Sequence, residues 1–471
     1  MVFSSLVFIC IFLPVVLILH SVIKNKNVKN GLLLAASLLF YAYGEPVYVL
    51  LMLASALVNY ISALLLEKHQ NKFILILTVI LNIGALVVFK YTGFLMTNVN
   101  ALFGLSLPIP EIRLPIGISF FTFQALSYVI DVYRRNVAAQ RNYAKLLLYI
   151  SFFPQLIAGP IVRYVDVARE IDERTVNTEK IAFGLRRFIV GLGKKVLIAN
   201  AMGAAADYIF NHGAANLNIL AAWIGAVAYL MQIYYDFCGY SDMAIGLGKM
   251  FGFNFKENFN HPYIASSIQE FWRRWHISLS YWFRDYVYIP LGGNRKGKVR
   301  TVLNRITVFF LTGLWHGANW TFIIWGMFHG LLLLLEEFIP PIKKLPKFLG
   351  HIYTLLAVTV GFVVFRADTI GEAGLFIGKM FSGFDFSAGA MSFSVQALTP
   401  YFIVMLIAAI ACSGPLHKLT KLVSELEVKE NLTSQEKLLQ TASFILAFAL
   451  LAWCIIRLAG GSYNPFIYFR F

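Results

Sequence analysis

Apolar stretches long enough to cross a lipid bilayer recur along nearly the whole chain. A transmembrane helix needs about 20 predominantly apolar residues. Runs that approach this length lie at 3–22, 31–43, 46–66, 73–90, 115–131, 143–160, 183–205, 219–252, 301–317, 320–338, 349–366, 399–416 and 438–458. Only 14% of the 471 residues are charged and 59% are hydrophobic, whereas a soluble domain carries roughly 25% charged residues. The sequence therefore predicts one polytopic domain over residues 1–471, an all-α integral membrane protein with about 12 transmembrane helices.

Basic residues in the short loops indicate the orientation of the helices. Lysines follow the first and third apolar runs and arginines follow the fifth, whereas the loop at 91–114 contains Arg113 alone. Because Lys and Arg are enriched in cytoplasmic loops, the pattern places both the N-terminus and the C-terminus outside. The net charge of +16 is spread over such loops. It indicates contact with anionic membrane lipid, and we expect no nucleic-acid partner.

The stretch from 253 to 300 does not fit the spanning pattern. It interleaves charged and aromatic side chains, beginning with Trp272, Arg273 and Arg274. Aromatic residues prefer the membrane interface, and the long arginine stem can reach toward it. We therefore expect interfacial or re-entrant helices that dip from the cytoplasmic face. Together with the following apolar run, residues 253–317 form the predicted catalytic region.

Motifs of common soluble enzymes are missing from the sequence. It contains no HExxH zinc motif and no GxSxG nucleophile elbow. Gly292, Gly297 and Lys298 match the spacing of a phosphate-binding loop, but Val299 stands where the magnesium-binding hydroxyl is required. The four cysteines form no CxxC pair. We therefore expect neither a metal site nor a disulfide framework.

Two histidines differ from the others because they stand within apolar or interfacial stretches. His276 lies at the centre of the interfacial stretch, and His316 lies at the junction of two apolar runs. An ionisable group at membrane depth is costly and is therefore a functional candidate, and His329 is a weaker one by the same reasoning. Gly313 and Gly317 flank His316 at a spacing that permits close helix approach or an unwound turn. The alternative interpretation is a packing motif whose histidine is only hydrogen-bonded.

Four segments of the chain carry a family resemblance. They are LPIGISFF at 114–121, SFFPQLIAGP at 151–160, WRRWHISLSYWFRDYVYIPLGGNR at 272–295 and TGLWHGANW at 312–320. These segments resemble the membrane-bound O-acyltransferases, and most closely the bacterial branch that acetylates alginate, peptidoglycan and other surface polysaccharides. The resemblance covers nearly the whole chain, and the two motifs centred on histidine are long enough to be specific.

The resemblance implies a fold, a site and a set of partners. The fold is a ring of transmembrane helices around a thinned centre, where a cytoplasmic funnel and an outer funnel meet at a histidine. The family's two characteristic histidines fall on His316 and His276, with His316 the more essential. The expected donor is acetyl-coenzyme A, with no permanently bound cofactor, and the acceptor is a cell-surface polysaccharide. An extracytoplasmic partner of the SGNH esterase and transferase type and a location in the bacterial cytoplasmic membrane complete the expectation.

The chemistry requires little beyond a base and a channel. A thiolate leaves a thioester readily, because its conjugate acid titrates near about 8.5 by analogy with cysteine, whereas the acceptor hydroxyl must lose a proton. Unprotonated His316 is suited to act as general base, and His276 to orient the donor or stabilise its carbonyl oxygen. A basic rim is predicted to bind the phosphates of the donor, although ordinary positive-inside charge explains it equally well. The rim consists of Arg273, Arg274, Arg284, Arg295, Lys296 and Lys298.

The segment 459–471 is a predicted extracytoplasmic aromatic tail. Gly460, Gly461 and Pro465 prevent the last helix from continuing, so the tail can fold back onto the outer funnel. Tyr468 offers a hydroxyl that can receive an acetyl group and pass it on, because a phenol ester is higher in energy than a sugar ester. An aromatic belt that anchors the last helix is an equal alternative.

Other functions stay open on the sequence alone. A D-alanyl or lipid acyltransferase of the same family would share the motifs. A polytopic transporter would use ionisable residues within the membrane, for which Asp131, Asp236 and Asp242 are candidates, but no repeat symmetry accompanies them. A scaffold without catalytic activity would tolerate the loss of both histidines.

Overall fold

The computed structural model describes residues 1–343, 345–416, 422, 432–461 and 463–467. Within these ranges the chain forms helices, turns and loops and no β-strand, which confirms the all-α prediction. The α-helices, numbered along the chain, are α1 (Leu13–Val22), α2 (Lys26–Ala42), α3 (Tyr48–His69), α4 (Lys72–Phe103), α5 (Ile118–Tyr133), α6 (Tyr143–Ser151), α7 (Phe153–Leu156), α8 (Tyr164–Glu173), α9 (Thr178–Gly193), α10 (Asn200–Phe210), α11 (Ile219–Met250), α12 (Ile268–Arg274), α13 (Ile277–Phe283), α14 (Lys298–His316), α15 (Trp320–Phe338), α16 (Pro340–Lys343), α17 (Lys347–Arg366), α18 (Ile370–Ser382), α19 (Ala388–Gln396), α20 (Pro400–Ser413) and α21 (Ser434–Ala459).

Several of these helices are long and apolar enough to cross a membrane. In the described part of the chain there are seven, namely Tyr48–His69, Lys72–Phe103, Thr178–Phe210, Ile219–Met250, Trp320–Phe338, Lys347–Arg366 and Ser434–Ala459. The pair α19 and α20, bent by 63°, makes an eighth if it acts as one span. These helices indicate a multi-pass membrane protein.

Helix continuity explains part of the difference between this count and the dozen apolar runs. The run at 143–160 is broken, because α6 ends at Ser151 and Pro154 lies in the first turn of the separate helix α7. The run at 301–317 belongs to α14, whose first half carries three basic residues. Hydropathy reports the apolar character of such runs but not where the helix stops.

The chain forms two compact units. The first contains Met1–Leu185 and Met243–Lys256, and the second contains the described residues of Arg186–Asp242 and Glu257–Phe471. In the first unit, α3 and α4 are joined by a reciprocal pair of amide hydrogen bonds between Asn59 and Asn82, each 3.0 Å long. Paired amides of this kind hold neighbouring helices together where water is absent.

An antiparallel hairpin of α14 and α15 organises the second unit. A side chain on Gly313 would place Cβ 2.5 Å from the carbonyl oxygen of Phe322, and one on Gly326 would overlap the carbonyl oxygen of Phe309. The backbones of the two helices are therefore in direct contact, as the spacing of small residues predicted. The close contact fixes the position of the residues at the tip of the hairpin.

Three short segments adopt the wider π-helical turn, in which one residue more than usual is accommodated. They are Phe8–Phe12, Lys194–Ala199 and Arg284–Tyr288. The second of these connects α9 and α10 and begins with two consecutive lysines. Lys194 lies 2.6 Å from a carboxylate oxygen of Asp242, and Lys195 lies 2.7 Å from one of Asp236. Two of the three intramembrane carboxylates are thus each paired with a lysine.

Candidate active site

The motif at 312–320 encodes the end of one helix, a turn and the start of the next. His316 is the last residue of α14, and Gly317 is extended with φ of −171°. The side chain of Asn319 then accepts a hydrogen bond of 3.0 Å from the backbone N–H of Thr321 and caps α15. Asparagine is among the residues that best fill this capping position. The motif therefore places His316 at the tip of the α14–α15 hairpin.

Aromatic rings surround the imidazole of His316, which is only 5% exposed. The ring centroids of Trp315 and Trp325 both lie 5.0 Å from it, and that of Phe365 in α17 lies 5.2 Å away. All three rings stand nearly perpendicular to the imidazole. Such an environment excludes water and strengthens every electrostatic interaction that a substrate makes there.

His276 occupies the junction between α12 and α13. It is fully buried and adopts a left-handed backbone conformation with φ of 44°. A residue other than glycine is uncommon in this conformation, and such residues cluster at functional sites. Its ring lies 4.6 Å from that of Phe237 in α11 and 5.9 Å from that of Trp315. The indole of Trp315 is therefore a neighbour of both predicted catalytic histidines.

Asn258 determines which nitrogen of His276 carries the proton. Its Oδ1 atom accepts hydrogen bonds from the backbone N–H of Ser278 at 3.2 Å and from the Ser278 hydroxyl at 2.8 Å. A backbone N–H can only donate, so the amide oxygen of Asn258 must face this position. Nδ1 of His276 lies 3.2 Å from the same oxygen and must therefore be the protonated nitrogen.

The opposite nitrogen of His276 is consequently an acceptor. Burial lowers the pKa of His276 to about 3, so the imidazole is neutral near pH 7 and Nε2 carries a lone pair. No group within the described residues forms a hydrogen bond with this atom. A buried polar atom of this kind is expected to meet a substrate or water. The site thus offers a lone pair with a defined direction.

Sequence reasoning did not identify Asn258 or Glu336. Asn258 is separated from His276 by 18 positions, and no local motif marks it. Glu336 in α15 accepts hydrogen bonds from the backbone N–H groups of Ile268 at 2.5 Å and Gln269 at 3.0 Å. A carboxylate is favoured at a helix N-terminus, so Glu336 holds the start of α12 against α15.

His329 extends the aromatic cluster on α15. It is 1% exposed, and its ring lies 5.2 Å from Trp325 and 5.2 Å from Trp272. Trp325 thus lies between His316 and His329. The backbone of Gly361 in α17 approaches so closely that a Cβ there would lie 2.8 Å from Nε2 of His329. The packing explains the burial of His329 without assigning it a role in chemistry.

The structure divides the predicted basic rim into two groups. Arg274 binds Glu270 at 2.9 Å and the backbone oxygen of Asn260 at 3.1 Å. Arg284 pairs with Asp285 at 2.7 Å and lies over the ring of Tyr281. The remaining members of the rim have exposed side chains; they are Arg273, Arg295, Lys296 and Lys298.

Two further predictions concern the tail and metals. Tyr468 lies outside the described residues, whereas Phe466 and Ile467 just before it are buried. Within the described ranges, no three His, Cys, Asp or Glu side chains lie close enough together to hold a metal ion.

Comparison with known proteins places both histidines within one conserved family domain. A profile of the membrane-bound O-acyltransferase family matches residues 60–367. The probable alginate O-acetylase AlgI of Pseudomonas putida is 39% identical over 488 residues, which is 100% of each chain. The peptidoglycan O-acetyltransferase of Helicobacter pylori is 37% identical and covers 79% of this chain and 78% of its own. The teichoic acid D-alanyltransferase of Bacillus subtilis is 32% identical over 52% of this chain and 65% of its own. With its motifs, its apolar helices and these relatives in agreement, the chain belongs to the membrane-bound O-acyltransferase family and is an acyltransferase.

Proposed function

We propose that this protein transfers an acetyl group from acetyl-coenzyme A in the cytoplasm, across the membrane, toward hydroxyls of a cell-surface polysaccharide. One observation carries the proposal. His316 and His276 are both buried and share the indole of Trp315 as a neighbour, in a chain that matches an alginate O-acetylase over its full length. A water-excluded pair of imidazoles supplies what transfer between a thioester and a hydroxyl requires.

His316 acts as the general base in this proposal. Its imidazole takes the proton of the acceptor hydroxyl while the hydroxyl oxygen attacks the thioester carbonyl carbon. The new C–O bond forms, the C–S bond breaks, and the imidazolium returns the proton to the departing thiolate. The carbonyl end of α14 stabilises the positive charge on His316 during the reaction. General base catalysis of this type contributes roughly 10² to 10⁴-fold to the rate.

His276 orients the donor. The tautomer set by Asn258 leaves Nε2 as an acceptor, which suits an N–H group of the donor better than its carbonyl oxygen. The geometry therefore favours the orienting role over stabilisation of the oxyanion. The phosphates of the donor meet the basic rim, for which the exposed Arg273, Arg295 and Lys298 are the first candidates and the internally paired Arg274 and Arg284 the second.

The proposed architecture is that of the family. About 12 helices form a ring around a thinned centre, and residues 253–317 constitute a re-entrant catalytic region within a single domain over residues 1–471. The protein lies in the bacterial cytoplasmic membrane with both termini outside. An extracytoplasmic partner of the SGNH type completes transfer to the polysaccharide.

Tyr468 receives the acetyl group on the outer side in this scheme. Its phenol oxygen attacks the acetyl donor, the released proton passes to His316, and the resulting ester is transferred to a sugar hydroxyl. A phenol ester lies between a thioester and a sugar ester in energy, so neither step is steeply uphill. The segment 459–471 thereby serves as an extracytoplasmic carrier instead of an aromatic anchor.

Two other acyltransferases of the family are the alternatives. The D-alanyltransferase of Bacillus subtilis matches only 52% of this chain, whereas the alginate O-acetylase matches all of it. Membership of the family leaves the transporter hypothesis without support. A lipid acyltransferase would turn over long-chain donors, which a channel sized for acetyl excludes.

The test uses purified full-length protein and cells. His316→Ala is expected to abolish acetyl-coenzyme A turnover and polysaccharide acetylation while the protein stays folded in the membrane. His69→Ala is the control, because His69 is an exposed histidine at the end of α3. Wild-type acetylation in the His316 variant would overturn the assignment of the base.

A further inference from the structure

An ion pair lies buried in the second unit, away from the two catalytic histidines. The side chains of Lys195 and Asp236 are 4% and 2% exposed, and their charged atoms lie 2.7 Å apart. Burying two charges is expensive, and within a membrane protein such a pair usually marks a functional element. The proposed acetyl transfer assigns it no role.

The pair binds the backbone of the C-terminal segment. The N–H of Ile467 donates to Asp236 Oδ2 at 2.7 Å, and Lys195 Nζ donates to the carbonyl oxygen of Pro465. Lys195 also donates to Oδ1 of Asn200 at 3.0 Å, whose amide nitrogen donates in turn to Asn464. Contacts to backbone atoms fix the path of a chain independently of its side chains.

Side chains of the same segment reinforce the attachment. Phe466 packs against Tyr240 of α11 with ring centroids 4.8 Å apart. The hydroxyl of Tyr463 donates to Asp207 in α10. Described residues on both sides of Pro465 are thus held by α10, α11 and the π-turn between α9 and α10.

The attachment lies beside the candidate active site. Phe237 follows Asp236 directly in α11, and its ring contacts that of His276 at 4.6 Å. One short stretch of α11 therefore carries both a wall of the His276 site and the carboxylate that binds the C-terminal segment.

We propose that Lys195, Asn200 and Asp236 form a C-terminal clamp that positions Tyr468 for acyl transfer. The clamp holds the amide of Ile467, the residue that precedes Tyr468. The role in transfer rests on the proposed function of Tyr468, whereas the clamp itself rests on the contacts above. The three residues are positioning residues, since they act through the segment that they hold.

Two variants open the clamp in different ways. Ile467→Pro removes the N–H that Asp236 accepts and leaves the ion pair intact. The double variant Lys195→Met with Asp236→Leu removes both charges together, which avoids a single unpaired buried charge and is tolerated far better than either single change. Ile467→Val keeps the N–H and is the matched control for the first. Arg169→Ala, which breaks an exposed ion pair with Glu173, is the control for the second.

Release of the segment is measured without reference to activity. Phe466→Cys is introduced into full-length protein whose four native cysteines are replaced, and its labelling by a maleimide is followed in detergent. Phe466 is 8% exposed, so labelling is slow while the clamp is closed. Loss of one hydrogen bond is expected to speed labelling roughly fivefold to tenfold in both clamp variants and in neither control. Unchanged labelling in both clamp variants would overturn the clamp, whatever the activity.

Activity then tests the role in positioning. Both clamp variants are expected to lose polysaccharide acetylation to the level of Tyr468→Phe, while acetyl-coenzyme A hydrolysis stays within about twofold of wild type because His316 is untouched. Faster labelling with full polysaccharide acetylation would overturn the positioning role. Full acetylation in Tyr468→Phe would instead refute the proposed acceptor, while the labelling result would still decide whether the clamp exists.

Discussion

Replacing Asn258 with leucine removes the acceptor that keeps the proton on Nδ1 of His276. Three hydrogen bonds of 2.8 to 3.2 Å converge on Oδ1 of Asn258, and each contributes about 1 kcal/mol. The substitution should therefore destabilise the protein by about 3 kcal/mol. The bond to His276 accounts for about 1 kcal/mol of this, which is roughly fivefold in the ratio of its two neutral tautomers.

The expected result is a fall of at least about fivefold in kcat/KM for acetyl-coenzyme A turnover, because the lone pair no longer stays on Nε2. Ser241→Ala is the matched control. Ser241 accepts only from the amide nitrogen of Asn258 at 3.0 Å, so its loss costs about 1 kcal/mol and leaves the tautomer unchanged. Thermal midpoints and initial rates of both variants are measured in the same detergent. Equal rates in the two variants, or wild-type rates in Asn258→Leu, would refute the reasoning about the tautomer.

Three further predictions concern packing, pH and the donor. Gly326→Ala should lower the thermal midpoint and the activity by about 1 to 3 kcal/mol of overpacking, because its Cβ meets the backbone of Phe309; Gly374→Ala in α18, with nothing within 4 Å, should be neutral or stabilising. The pKa of His276 is about 3 in the fold and about 6.5 when unfolded, so the unfolded state binds the proton first and stability falls as the pH drops below about 6.5. Between pH 7 and 5 this loss amounts to about 2 kcal/mol, and the thermal midpoint of His276→Gln should fall less than that of wild type over this interval. Acetyl-coenzyme A should be turned over and palmitoyl-coenzyme A should not, and equal turnover in a thiol-release assay would indicate a lipid acyltransferase.

The sequence could identify the residues that stand out against their surroundings. His276 and His316 are ionisable groups in apolar or interfacial context, and the desolvation cost alone drew attention to them. Gly313 likewise predicted the close approach of two helices, and the structure brings α14 and α15 into backbone contact. Features of this kind are visible because the signal lies within a few residues of the feature itself.

Partners that are distant in the chain could not be predicted in this way. Asn258 reaches His276, and Glu336 reaches the start of α12 from a position 68 residues away. Asp236 was noticed as an intramembrane carboxylate, but nothing in its neighbourhood indicated that Lys195 and the backbone of Ile467 share it. Hydropathy and spacing describe one helix at a time, whereas these contacts depend on which helices become neighbours.

The π-turn at Lys194–Ala199 limits which mutations the gene of this protein can accumulate. Because the turn holds one extra residue, deleting a single codon within it restores an ordinary α-helix and rotates all that follows by about 100° around the helix axis. Lys195 lies within the turn and Asn200 directly after it, and both bind the C-terminal segment. Such a rotation would turn Asn200 away from the segment while Lys195 stays in place. We therefore expect point substitutions in this turn to be tolerated and deletions or insertions to be eliminated by selection.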